Sequence, residues 1–179
     1  MHAALESRTE RPHRAGPSFR VEIEGERIRA WSREIGIADL PTRVARAARA
    51  ILPDGATWWV GRGERDGSVE FTVEKRYAST DPDDGVRGVR LAEDGTVLER
   101  SYPITREDLP PALATHFVDF ENIPMTGELK LPAHFSVVQG EGPDRYRVRG
   151  PISDLLREFD AEGRELRRGR VQTVRATTW

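Results

Sequence analysis

A histidine and an aspartate three positions apart on a helix can share a proton or a metal ion, and His116 with Asp119 has that spacing. His134, with Ser136 two positions on, is a second imidazole in a strand-like segment. Helical periodicity puts His116 in a packing position, strand alternation puts His134 outward, and no third group completes a triad. Asp81, Asp83 and Asp84 before Gly85 start like a calcium loop, yet 86–91 reads as strand and cannot wrap an ion. Gly61-Arg62-Gly63 has the glycine spacing of a phosphate loop but precedes a hairpin, so no helix N-terminus follows it. The sequence thus implies no catalytic residue, no metal and no cofactor.

Binding is better represented than catalysis. Arg43, Arg46 and Arg49 form a basic row on one helix face, read as solvated because the second helix carries no such row and ends in Asp119 and Glu121. Trp59 is the leading candidate anchor: alternation sets it with Thr57 on the polar face of its strand, where a large aromatic suits a protein interface. Tyr77 and Tyr102 are expected to border the same face.

The whole chain, 179 residues with formal charge -2, has room for one ordinary domain or two small ones. That charge argues against a nucleic-acid partner. A mean hydropathy of -0.61 and the lack of a long apolar run argue against a membrane span. With no cysteine, disulfides and thiolate metal sites are excluded. The first 17 residues resemble no secretory signal, so the expected compartment is the cytoplasm, or an exported location if a leader precedes the chain.

The elements that must position these residues repeat. Asp39-Leu40-Pro41 opens a helix whose Val44, Ala47, Ala48 and Ile51 form one apolar stripe, and Pro53-Asp54-Gly55 ends it. Asp108-Leu109-Pro110 opens a second, with Leu113, His116, Phe117 and Phe120 each displaced by 69 positions. Each helix is followed by an Ala-x-aromatic-x-Val strand, Ala56-Thr57-Trp58-Trp59-Val60 or Ala133-His134-Phe135-Ser136-Val137, and each block closes on an acidic-Gly hairpin at Gly95 or Gly163. The hairpin at Gly25 reads as the tail of a third copy. We therefore expect an α+β fold: a disordered arm over 1–17, a hairpin over 18–38, and helix-plus-four-strand units over 39–107 and 108–179. Each helix should cover the apolar face of its sheet and leave the other face to water.

The Asp-Leu-Pro helix start, the short amphipathic helix and the hairpin Leu91-Ala92-Glu93-Asp94-Gly95-Thr96-Val97-Leu98 resemble the PepSY-like domains of bacteria. The tandem arrangement resembles that of the β-lactamase inhibitor proteins. The resemblance implies a non-catalytic, inhibitor-like protein-binding module with an open, curved sheet face for its contact surface. Two alternatives stand beside it: a small-molecule or catalytic pocket near His116 and His134, and an assembly protein that pairs through its C-terminal edge strand.

Overall fold

In a computed structural model, which describes residues 17–52, 58–75, 85–116, 134–149 and 155–175, the chain is mostly β. Ten antiparallel strands close into one barrel: β1 (Ser18–Glu24), β2 (Arg27–Glu34), β3 (Trp58–Arg65), β4 (Ser68–Lys75), β5 (Gly88–Ala92), β6 (Val97–Ile104), β7 (His134–Gly140), β8 (Arg145–Arg149), β9 (Leu155–Phe159) and β10 (Glu165–Arg175). Each strand pairs with its sequence neighbours, and β1 pairs with β10, Ser18 opposite Arg175, to complete the circle. The expectation of an α+β fold with open sheets is therefore corrected. The apolar and polar faces alternate as the sequence predicts, but the polar face curls inward and encloses itself. The edge expected of the last strand does not exist, because β10 has partners on both sides.

Two short helices lie outside the barrel wall. Helix α1 (Thr42–Ile51) buries Val44 and Ala48 against Val60, Phe71, Val73, Val89 and Leu91 of β3, β4 and β5. Its Arg43, Arg46 and Arg49 face solvent. Helix α2 (Pro111–His116) buries Leu113 against Phe135, Val148 and Phe159 of β7, β8 and β9. The hydrophobic core is thus split into two layers, each between a helix and the outer surface of the wall. A barrel lined with apolar side chains would need neither helix.

The two blocks use equivalent residues in equivalent ways. A carboxylate oxygen of Asp39 accepts from the Gly36 backbone N–H at 3.1 Å, and one of Asp108 accepts from the Thr105 backbone N–H at 2.9 Å. Leu40 and Leu109, which follow, are both buried. Each helix start then crosses the hairpin glycine of its own block. At Gly95 (φ +91) an added Cβ would stand 2.9 Å from the Arg43 carbonyl oxygen, and at Gly163 (φ +83) 3.3 Å from the Ala112 Cβ. Among the described residues the third arc, β10–β1–β2, carries no helix. There Trp31 and Val174 remain 44% and 56% exposed.

Curvature comes from glycines on the concave side. A Cβ on Gly63 would lie 1.8 Å from the Trp31 carbonyl oxygen and one on Gly169 2.7 Å from that of Ile23, so neighbouring strands approach too closely there for any side chain. Register shifts at Glu22/Ile23, Arg90/Leu91 and Glu165/Arg167 add bend close to the short turns. All five two-strand hairpins turn at one end of the barrel. The helix-bearing connections, the start of β1 and the end of β10 lie at the other, called the loop end below.

Because the load-carrying apolar layers are external, Phe71→Ala should cost about 3–5 kcal/mol. Val174→Ala, on the uncovered arc, should cost less than about 1 kcal/mol. Urea denaturation of the two variants compares them, and equal losses would place the core elsewhere.

Candidate functional site

The interior of the barrel is built from charge. Strand β8 shows the pattern plainly: in Arg145-Tyr146-Arg147-Val148-Arg149 the aliphatic and aromatic positions face the α2 layer, so the three arginines project into the lumen. Strand β4 does the same with Glu70, Thr72 and Glu74 behind Val69, Phe71 and Val73.

Toward the short-turn end these groups join into a ring of alternating sign. Glu22 of β1 pairs with Arg65 of β3 at 2.7 Å, and Arg65 with Glu70 of β4 at 3.4 Å. Glu70 holds Arg90 of β5 at 2.6 Å, and Arg90 holds Glu99 of β6 at 2.8 Å. Glu99 pairs with Arg145 of β8 and lies 3.9 Å from Arg147, which bonds Glu158 of β9 at 2.6 Å. Arg167 of β10, whose charge also acts on Glu158, returns to Glu22 at 2.6 Å. Burial alone would raise the Glu22 carboxyl, but hydrogen bonds and charge from Arg65 and then Arg167 overcome it and hold the pKa at about 2. Glu158 is buried among the same arginines. Its pKa is likewise lowered: desolvation opposes the shift, and Arg147 outweighs it.

Toward the loop end the charges no longer balance pairwise. Two adjoining cavities of about 40 and 50 Å³ lie between this end and the ring, sharing Glu22, Arg65, Thr72, Glu74 and Arg149 in their walls. One extends to Arg20 and Trp59, the other to Gly88, Ser101 and Val138. At about 10–15 Å³ per water-sized probe, each holds a few small molecules' worth of space. Glu74 ion-pairs with Arg20. Although desolvation pushes the Glu74 pKa upward, the charges of Arg20 and Arg149 bring it to about 2. Among the described residues Arg149 has no ion pair, and its buried Nε has no hydrogen-bond partner. Burial, against the attraction of Glu74, lowers its pKa to about 10. Arg87 is shifted downward for the same first reason. His134, opposite Arg149 in the β7–β8 ladder, has a buried Nδ1 without a partner. Desolvation, then the charges of Arg87 and Arg149, lower its pKa and favour the neutral ring.

Trp59 belongs to this wall. The sequence assigns it to the polar face, and that face is the lumen, so the side chain is 3% exposed and no surface anchor. Its indole N–H donates to the Ser18 hydroxyl at 2.9 Å, and that hydroxyl donates to Glu34 at 2.6 Å. Arg20 stacks 3.7 Å from the ring centroid. The indole also lies over Gly61, where a Cβ would meet it at 2.3 Å. Tyr102 is half-buried opposite Val137 and, being next to Ser101, projects from the opposite face of the sheet. Thr57 and Tyr77, the other two expected contacts, lie outside the described residues, as do the Asp81, Asp83 and Asp84 cluster and Asp119. The described part of His116 is its backbone, at the end of α2. His134 faces inward and not outward as alternation from Ala133 suggests.

What sequence reasoning missed is the set Arg20, Arg65, Glu70, Glu74, Arg90, Glu99, Arg147, Arg149 and Glu158. The signal was present: these residues alternate with the apolar positions, and Gly61, Gly63, Gly88, Gly140 and Gly169 fall in the same phase. A flat, solvated sheet face has no need of glycine there.

Two expectations follow. Glu158→Gln leaves Arg145 and Arg147 short of a buried counter-charge and should cost about 3–5 kcal/mol in urea denaturation at pH 7. Because the folded pKa values of Glu22 and Glu74 lie near 2 against an ordinary 4.5, their contribution is fully present above pH 4.5 and is lost as pH falls toward 2. An acid titration followed by circular dichroism should show stability declining through that window, and a flat profile from pH 5 to 2.5 would contradict the ring.

No family model, no curated protein and no solved structure matches this chain, so its likeness to PepSY-like domains rests on the sequence motifs, and the open sheet implied by that likeness is replaced by a closed barrel.

Proposed function

We propose that this protein is a non-catalytic binding barrel that takes a small polar molecule into its lumen from the loop end. The observation that carries this reading is the pair of adjoining interior cavities, floored by a ring in which every carboxylate is paired. Ten strands give a wider barrel than the eight whose interior side chains just fill the space.

The reading takes up the small-molecule alternative in preference to protein binding through Trp59, Thr57, Tyr77 and Tyr102. An interface anchor has to be reachable, and the Trp59 indole is packed between Arg20 and Gly61 with its N–H already bonded. The lumen, by contrast, offers polar groups converging on enclosed space, which is how small-molecule sites are built.

The test is a fragment screen by amide-detected NMR on the full chain. Bound fragments should shift the amides of Thr72, Gly88 and Ser101, and Ser101→Phe, which fills the second cavity, should abolish those shifts while the fold is retained. Fragments that perturb only the outer surface, or that bind S101F as well as the parent, would overturn the reading.

A further inference from the structure

We infer that the loop end of the lumen is an anion site, formed by Arg149 and Arg87 with His134 beside them, for a small oxyanion such as inorganic phosphate or a short carboxylate. This rests on the lumenal reading above and adds the chemical class of the ligand.

Three observations converge on it. The first is the lack of ion-pair partners. Among the described residues near this end, Arg20, Arg87 and Arg149 are cationic, while Glu34 and Glu74 are the nearby carboxylates. Glu34 accepts from Ser18, and Glu74 pairs with Arg20. The two remaining guanidinium groups face one another's charge with no carboxylate of their own within ion-pair distance among the described residues. At the turn end, by contrast, each of Arg65, Arg90, Arg145, Arg147 and Arg167 lies within ion-pair distance of at least one of Glu22, Glu70, Glu99 and Glu158. Both ends carry more arginines than carboxylates, and what distinguishes the loop end is that Arg87 and Arg149 touch none among the described residues.

The second observation is directional. Arg149 Nε and His134 Nδ1 are buried polar atoms without partners, on residues paired directly across the β7–β8 ladder. Arg149 also lines both cavities, so its unpaired N–H groups adjoin enclosed space. A planar guanidinium presents a fork of donors that fits a carboxylate or phosphate edge, and a buried donor left unmade costs free energy that an oxyanion would recover. With Nε2 as its other nitrogen, neutral His134 can donate from whichever nitrogen carries the proton.

The third is size. Each cavity has space for a few water-sized groups, which suits phosphate or acetate and excludes a bulky headgroup. Thr72, Gly88 and Ser101 line the same space with a hydroxyl, a bare backbone and a second hydroxyl, and Val138 supplies one apolar wall. Glu22 and Glu74 border both cavities, Glu70 the first and Glu99 the second; the ring arginines pair with Glu22, Glu70 and Glu99, and Glu74, nearest Arg149, opposes an entering anion and sets an upper limit on its charge.

The experiment uses the full chain, with chemical shifts of the arginine Nε–H groups followed at constant ionic strength on addition of inorganic phosphate, acetate and acetamide. Acetamide has the shape of acetate without its charge. Saturable shifts at Arg149 and Arg87 with phosphate or acetate, and at least tenfold weaker binding of acetamide, are expected; whichever anion binds more tightly identifies the subclass. Arg149→Gln should weaken the anion at least tenfold, Arg149→Lys should retain it within a few-fold, and Glu74→Gln should tighten it. The last effect has the opposite sign to that of a variant that only loosens the barrel, which keeps the test valid if R149Q folds poorly. Acetamide binding in the lumen as tightly as acetate would sink the anion assignment and leave the lumenal reading intact. Absence of any lumenal binding would remove both. Anion shifts confined to Arg43, Arg46 and Arg49 on the outside of α1 would mean non-specific surface association and would overturn the site.

Discussion

The ring of alternating glutamates and arginines inside the barrel is the constraint on which the rest of the structure depends. A single carboxylate moved into an enclosed lumen would cost several kcal/mol, and the same holds for a guanidinium, so each must arrive together with its partner. Glu22 on β1 needs Arg65 on β3 and Arg167 on β10, 43 and 145 positions away in the sequence. Glu99 on β6 needs Arg90 on one side and Arg145 on the other. Side chains alternate with a period of two, so slipping any one ladder by a single residue would turn its charges outward and leave their partners buried alone. The ring therefore contributes closure and register more than raw stability. The stabilising apolar burial lies elsewhere, in the two layers beneath α1 and α2.

That division explains the unusual order of layers. In most small barrels the apolar side chains fill the interior and the polar ones meet water. Here Val60, Phe71, Val73, Val89 and Leu91 face outward and would be exposed if α1 did not lie across them, and Phe135, Val148 and Phe159 stand in the same relation to α2. The helices cover two arcs of the wall, and among the described residues the third has none; there Trp31 and Val174 remain at the surface. With the apolar layers outside, the lumen is released from the task of being a core. It can hold polar side chains and enclosed space, and at the loop end it can hold cations that no carboxylate of the described wall neutralises. The apolar core and the enclosed polar space are thereby assigned to opposite faces of one sheet.

Trp59 illustrates how one residue is read differently at the two levels. Its phase in β3 follows from alternation alone, and the structure keeps that phase. Its exposure does not follow, because exposure depends on whether the polar face is flat or rolled. Once rolled, that face brings Ser18, Arg20 and Gly61 around the indole, residues separated from it by up to 41 positions. The same step turns His134 from a surface imidazole into a half-buried one that faces the lumen. The equivalence of Asp39-Leu40-Pro41 and Asp108-Leu109-Pro110, by contrast, is local chemistry and is visible in both descriptions.

From the chain alone came the helix starts, the apolar stripe of α1, most of the strands, their alternation, and the correspondence of the two helix-plus-strand blocks. These are set by interactions within a few residues: an aspartate bonding three positions back, a proline opening a turn, a glycine permitting positive φ. Closure of the barrel, the inward sense of the polar face, the pairing of β1 with β10 and the unmatched arginines at the loop end were decided only in three dimensions. Each depends on which distant charges meet, and a pattern of period two is the same whether the polar side of a sheet meets bulk water or the opposite wall of its own lumen.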